Sequence, residues 1–119
     1  MRILLAAPDR DLLGCYKKLL ESDLGETVTS FDGTQVLSLI QSESFDIAVI
    51  DSDLPRIEYG KLIAQIKDKN IKAVALINEP VSTRKAKKES SADAYLQYPF
   101  DYCRIRSVIT KTLCDNEKG

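Results

Sequence analysis

No histidine occurs anywhere in the 119 residues. Imidazole metal ligands and imidazole acid–base chemistry are therefore excluded. Histidine-based hydrolase triads and most zinc-hydrolase schemes go with them. Cysteine is scarce and odd in number, and Cys15, Cys103 and Cys114 fit neither a disulfide framework nor a zinc site. The plain expectation is three buried or half-buried small hydrophobes in a reducing cytoplasm. No apolar stretch approaches the roughly 18 residues of a membrane span. The start, Met1-Arg2-Ile3-Leu4-Leu5, soon meets Pro8-Asp9-Arg10-Asp11, without the long apolar run of a signal peptide, so none is expected. A net charge of -1 supplies no basic field for nucleic acid or an acidic membrane. Phosphate-cradling glycine loops are missing too: neither GxGxxG nor GxxxxGKS/T appears.

What is present is an ordinary globular composition, 44% hydrophobic and 29% charged, in a length that suits one domain. We expect that domain over residues 1–114, with 115–119 a polar tail or the start of a linker to an output domain. Residues 3–7 and 47–50 are short continuous apolar runs, as strands buried on both faces require. Asp9 or Asp11 can cap a helix carrying Leu12, Leu13, Tyr16, Leu19 and Leu20, which Gly25 stops. Residues 27–31 alternate and suit a half-exposed edge strand. Asp32-Gly33 signals a turn, followed by a helix with Val36, Leu37 and Ile40 inside. A third helix carries Leu62, Ile63 and Ile66, residues 73–77 form another apolar strand, and residues 94–96 form the last. Residues 81–91 could be helical but have little to bury, so they should be the most mobile part. Ile105, Val108, Ile109 and Leu113 mark a closing helix. This alternation predicts an α/β fold: a doubly wound five-stranded parallel sheet of order 2-1-3-4-5, with helices on both faces.

Such sheets bind ligands beyond the carboxyl ends of their strands, where the strand order reverses. That point falls between the first and third strands and gathers Ala7, Pro8, Asp9, Asp51, Ser52 and Asp53. Asp51 ends a buried strand, where a carboxylate is poorly solvated unless a metal, a lysine or an opening to water compensates it. Asp51 could equally be a turn former, and Asp53 and Asp9 loop or capping carboxylates. A flavin would need a glycine- or hydroxyl-rich loop after the first strand. Ala7-Pro8-Asp9-Arg10-Asp11 has no glycine, lacks an N–H at Pro8 and adds negative charge.

From Arg2 to about Leu113 the chain resembles the receiver domains of two-component response regulators. The most specific segments are Phe45-Asp46-Ile47-Ala48-Val49-Ile50-Asp51-Ser52-Asp53-Leu54-Pro55 and Ala92-Asp93-Ala94-Tyr95-Leu96-Gln97-Tyr98-Pro99-Phe100. The first is similar to the family's strand ending in the phosphoacceptor aspartate, and the second to its last strand and the Lys-Pro-Phe after it. The resemblance implies Asp51 as phosphoacceptor and a cis Tyr98–Pro99 bond. It also marks departures. The family's magnesium-binding acidic pair falls on Ala7 and Pro8, its hydroxyl residue on Ile77 (followed by Asn78), and its lysine on Tyr98. Ala7 and Pro8 offer no side-chain oxygen to a hard cation. Ile77 cannot hydrogen-bond, and Tyr98 carries no positive charge near neutral pH. Asp51, Asp53 and Asp9 remain as a weak magnesium set.

The resemblance therefore implies an atypical receiver with impaired magnesium-dependent phosphorylation at Asp51, acting through protein–protein contacts rather than as an enzyme. Its expected partner surface includes Arg84, Lys85, Lys87 and Lys88, with Tyr95, Tyr98 and Phe100 close by. The basic residues read equally well as a solvated face, and Phe100 as core. Expected partners are a sensor kinase, an output domain, another regulator or a second copy, in the cytoplasm, with no nucleic acid or membrane. Two alternatives stay open: a phosphorylatable receiver with relocated acidic ligands, and a small enzyme or ligand-binding α/β domain.

Overall fold

The computed structural model describes residues 1–78 and 92–118. In chain order they form β1 (Arg2–Ala6), α1 (Arg10–Asp23), β2 (Glu26–Ser30), α2 (Gly33–Ser42), β3 (Ile47–Asp51), α3 (Tyr59–Asp68), β4 (Lys72–Ile77), β5 (Ala94–Gln97) and α4 (Tyr102–Lys118). The five strands pair in parallel in the order β2-β1-β3-β4-β5, as the alternation of elements predicts. The helix expected over 81–91, and its expected mobility, lie outside the described residues. Backbone α4 continues to Lys118, through the segment expected as a polar tail.

Side chains alternate across each strand, and the two faces fill two cores. Leu4, Ala6, Ala48, Ile50 and Ala73 pack under α2 and α3 with Val36, Ile40, Leu62, Ile63 and Ile66. Ile3, Leu5, Ile47, Val49, Val74, Leu76 and Leu96 pack under α1 and α4 with Leu13, Leu20, Ile105 and Ile109. Every residue of β3 is buried, which is why the run carries no alternation in polarity.

Local chemistry sets the helix ends. Asp9 accepts the N–H groups of Asp11 and Leu12 and so caps α1. Asp32 caps α2 by accepting from Gln35 N–H at 2.8 Å, a role beyond the turn expected of it. After α1, Gly25 passes so close to Met1 that a Cβ would lie 2.3 Å from its carbonyl oxygen, which leaves no room for a side chain.

Two expectations are corrected. All three cysteines are exposed rather than buried. Cys15 stands two positions from buried Leu13, and Cys103 two from buried Ile105, and two helical positions span about 200°. Leu19 is 39% exposed for a related reason: the buried stripe of α1 runs through Leu13 and Leu20, and Leu19 falls to one side. Among the described residues, no helix is long and apolar enough to cross a membrane.

Candidate functional site

The site lies where the carboxyl ends of β1, β3, β4 and β5 meet. Strand register brings those ends level: Ser52 N–H donates to the Leu76 carbonyl at 2.9 Å, and Tyr98 N–H to the Ile77 carbonyl at 2.8 Å. β3 therefore delivers Asp51 beside the residue that follows β5. Alternation along β3 puts Asp51 on the same face as Ile47 and Val49, toward α1 and α4, where Tyr98 also packs.

Asp51 is only 4% exposed. Its Oδ1 accepts the backbone N–H of Asp53 at 2.7 Å, and its Oδ2 accepts the Tyr98 hydroxyl at 2.7 Å. Tyr98 thus stands where the family resemblance places a lysine, and it reaches the carboxylate with a neutral donor. Tyr98, expected on the partner surface, is half-buried and places its hydroxyl on Asp51. The Tyr98–Pro99 bond is cis. Asp53 is held in turn by Asn78, whose amide donates to its Oδ2 at 2.6 Å. The sequence marks Asn78 only as the residue after Ile77 and gives it no role; its signal is a polar side chain directly after a buried strand, at the carboxyl end of the sheet.

The electrostatics follow from this set of partners. Burial pushes the Asp51 carboxyl above its ordinary range, against the Tyr98 and Asp53 hydrogen bonds, and the nearby Asp53 charge adds to the rise. Burial, together with the Asp51 hydrogen bond and charge and the Asp9 charge, pushes the Tyr98 phenol up as well. Tyr98 is therefore a proton donor to Asp51 and not a charge partner for it.

The residues do not fit the magnesium ion that a receiver fold implies. Ala7 is buried and carries no side-chain oxygen, and one Asp9 oxygen serves the α1 cap. Both Asp51 oxygens and Asp53 Oδ2 already accept hydrogen bonds. Among the described residues, no group of three or more Asp, Glu, Cys or His side chains is arranged to hold a metal. Ile77 is buried and apolar where the family resemblance places a hydroxyl.

The structure thus brings together Asp51, Asp53 and Tyr98, adds Asn78, and leaves Asp9 as a helix cap whose charge is still felt at Tyr98. Tyr95 lies on β5, and its hydroxyl accepts the Ala92 N–H at 3.2 Å. Phe100 is partly buried against the core beneath α1 and α4. Arg84, Lys85, Lys87 and Lys88 lie outside the described residues.

Fold and site together define a class: a doubly wound parallel α/β domain with a buried aspartate at its switch point. No protein-family model matches the chain. It is 33% identical over 122 aligned residues to the response regulator protein PmrA of Pseudomonas aeruginosa, covering 94% of this chain and 54% of PmrA. A CheY-like response regulator receiver domain protein from Methanospirillum hungatei superposes with a TM-score of 0.86 at 25% identity, covering 98% of this chain and 96% of that one. An adenylate cyclase structure from Rhodopirellula baltica superposes at 0.83 with 24% identity, covering 94% and 86%; that likeness shows the fold alone. The chain's sequence relatives are response regulators, and its structural neighbours include receiver domains whose fold it shares. It spans about half the length of the curated relatives it matches.

Proposed function

We propose that this chain is an atypical receiver, over residues 1–114, that serves two-component signalling through protein–protein contacts. In this reading Asp51 keeps the phosphoacceptor's place, and magnesium-dependent phosphorylation there is impaired. The observation that carries the reading is the Tyr98 hydroxyl on Asp51 Oδ2 at 2.7 Å. Receiver chemistry resembles other phosphoryl transfers, in which cations neutralise charge on the transferring oxygens. A buried carboxylate flanked by a phenol, a second carboxylate and apolar residues at positions 7 and 77 supplies none of that neutralisation.

Partners are then a sensor kinase, an output domain, another regulator or a second copy of the chain. Incubation with magnesium and acetyl phosphate, followed by intact-protein mass spectrometry, tests the proposal. We expect acyl-phosphate occupancy below about a tenth. Stoichiometric modification that disappears in Asp51→Asn would overturn the proposal in favour of a working phospho-switch.

A further inference from the structure

Tyr98 is the first of four aromatic rings that run away from Asp51. Its ring centroid lies 4.7 Å from that of Phe100. Phe100 stacks on Tyr16 of α1 at 6.0 Å, and Tyr16 stacks on Tyr102 of α4 at 6.2 Å. These separations fall within the range of favourable aromatic pairs, roughly 4.5–7 Å. Both ends of the series are anchored the same way. Tyr98 donates to the Asp51 carboxylate at 2.7 Å, and Tyr102 donates to the Asp23 carboxylate at 2.6 Å and to the Leu19 carbonyl at 3.0 Å. The Tyr16 hydroxyl adds a contact of 3.4 Å to the Phe100 carbonyl, tying the loop after β5 to α1.

The series starts at the carboxyl ends of the strands and finishes at Asp23, the last residue of α1. Its members are stiff side chains packed on one core. Packed interiors rearrange between discrete arrangements instead of deforming smoothly. A Tyr98 ring freed from Asp51 must repack against Phe100, and Phe100 cannot move without changing its stack on Tyr16.

We propose that this aromatic ladder couples the state of Asp51 to the seam between α1 and α4, and to the Tyr102–Asp23 hydrogen bond at its far end. The coupling holds whether or not Asp51 accepts a phosphoryl group, so it stands independently of the impaired-phosphorylation reading.

Ring-13C tyrosine labelling of the whole chain tests it by NMR. Asp51→Ala, which removes the acceptor of the Tyr98 hydroxyl, should shift the Tyr98, Tyr16 and Tyr102 ring resonances, while Tyr59, packed in the other core, serves as the unmoved reference. In a Phe100→Leu background the same substitution should still shift Tyr98. The responses at Tyr16 and Tyr102 should fall at least about threefold, and Phe100→Tyr should restore them. Should Phe100→Leu not fold, Tyr16→Leu interrupts the ladder one ring further on, and Tyr102 must then lose its response. Responses at Tyr16 and Tyr102 that are absent in the parent chain, or unchanged when the ladder is interrupted, overturn the proposal.

Discussion

The two ends of the sheet treat their carboxylates in opposite ways. At the amino ends of the strands, acids meet cations. Arg2 bridges Glu43 at 2.6 Å and Glu26 at 3.2 Å, and Asp93 meets Lys67 at 2.6 Å and Lys72 at 3.8 Å. At the carboxyl ends, acids meet neutral donors: Asp51 a phenol and a backbone N–H, Asp53 an amide, Asp9 two backbone N–H groups. Among the described residues, no salt bridge reaches these three. The consequence appears in the proton affinities. Burial works against the Asp93 carboxylate, yet Lys67, the Ala73 N–H and Lys72 hold it below its usual range. Asp51 is held above its own. One end of the molecule uses its charges to hold strands together; the other keeps a buried charge under-compensated, as functional sites often do.

Removing an acid should therefore have opposite signs at the two ends. Asp93→Ala deletes the Lys67 and Lys72 partner and leaves the Ala73 N–H, now bonded to Asp93 Oδ2 at 2.8 Å, without its acceptor. A loss of about 2 kcal/mol is expected from a half-buried, charge-assisted set of this kind, read as a lower urea midpoint. Because the folded pKa of Asp93 is depressed, its contribution is complete above the ordinary carboxylate range. It fades as pH falls through the folded pKa, and the mutant and parent curves should converge in acid. A loss that persists undiminished in acid would show that Asp93 acts through packing and not through its charge.

Asp51→Asn should be the reverse case. Its amide can place the oxygen toward the Asp53 N–H and the NH2 toward the Tyr98 hydroxyl oxygen, keeping both hydrogen bonds while removing the charge. A gain of about 1 kcal/mol is expected at neutral pH, seen as a higher melting temperature. The sign of the pH dependence is also reversed. A raised folded pKa means the fold prefers the protonated acid, so the parent chain gains stability as pH falls through that pKa toward the ordinary range. The advantage of Asp51→Asn should shrink over the same interval and vanish below it. Destabilisation by Asp51→Asn at neutral pH would break the comparison between the two ends.

Much of this was legible in the residues themselves. Uniformly apolar 47–50 reads as a doubly buried strand and 73–77 as another apolar strand, and two-residue alternation then fixes which face Asp51 takes. The departures at Ala7, Pro8, Ile77 and Tyr98 were equally visible. What each replacement does instead was not, because that depends on contacts between distant segments. Tyr98 and Asp51 are 47 residues apart, and only the level ends of β3 and β5 bring them together. Asn78 found Asp53 by the same route. The cysteines misled because average burial says nothing about which side of a particular helix a residue occupies.

Backbone strain gives the smallest and most local version of the contrast. Among the described residues, two non-glycine residues have positive φ: Asn70 at 60°, in the turn between α3 and β4 at the amino ends of the strands, and Arg56 at 79°, in the loop between β3 and α3 beside the site. Asparagine tolerates this left-handed region, whereas a long side chain such as arginine does not. The loop is held there because Gly33 N–H donates to the Pro55 carbonyl at 2.9 Å and the next residues press close on α2, where a Cβ on Gly33 would come within 2.8 Å of Ile57 Cβ. Arg56→Gly should relieve about 1 kcal/mol of strain or somewhat more and give back part of it as unfolded-chain entropy. A net gain of about 0.5 kcal/mol is expected from these opposing effects. Asn70→Gly, at a position already suited to its residue, should change stability by no more than a few tenths of a kcal/mol. Paired denaturant midpoints would decide it: equal effects at the two positions would mean that the loop beside Asp51 carries no more strain than an ordinary turn.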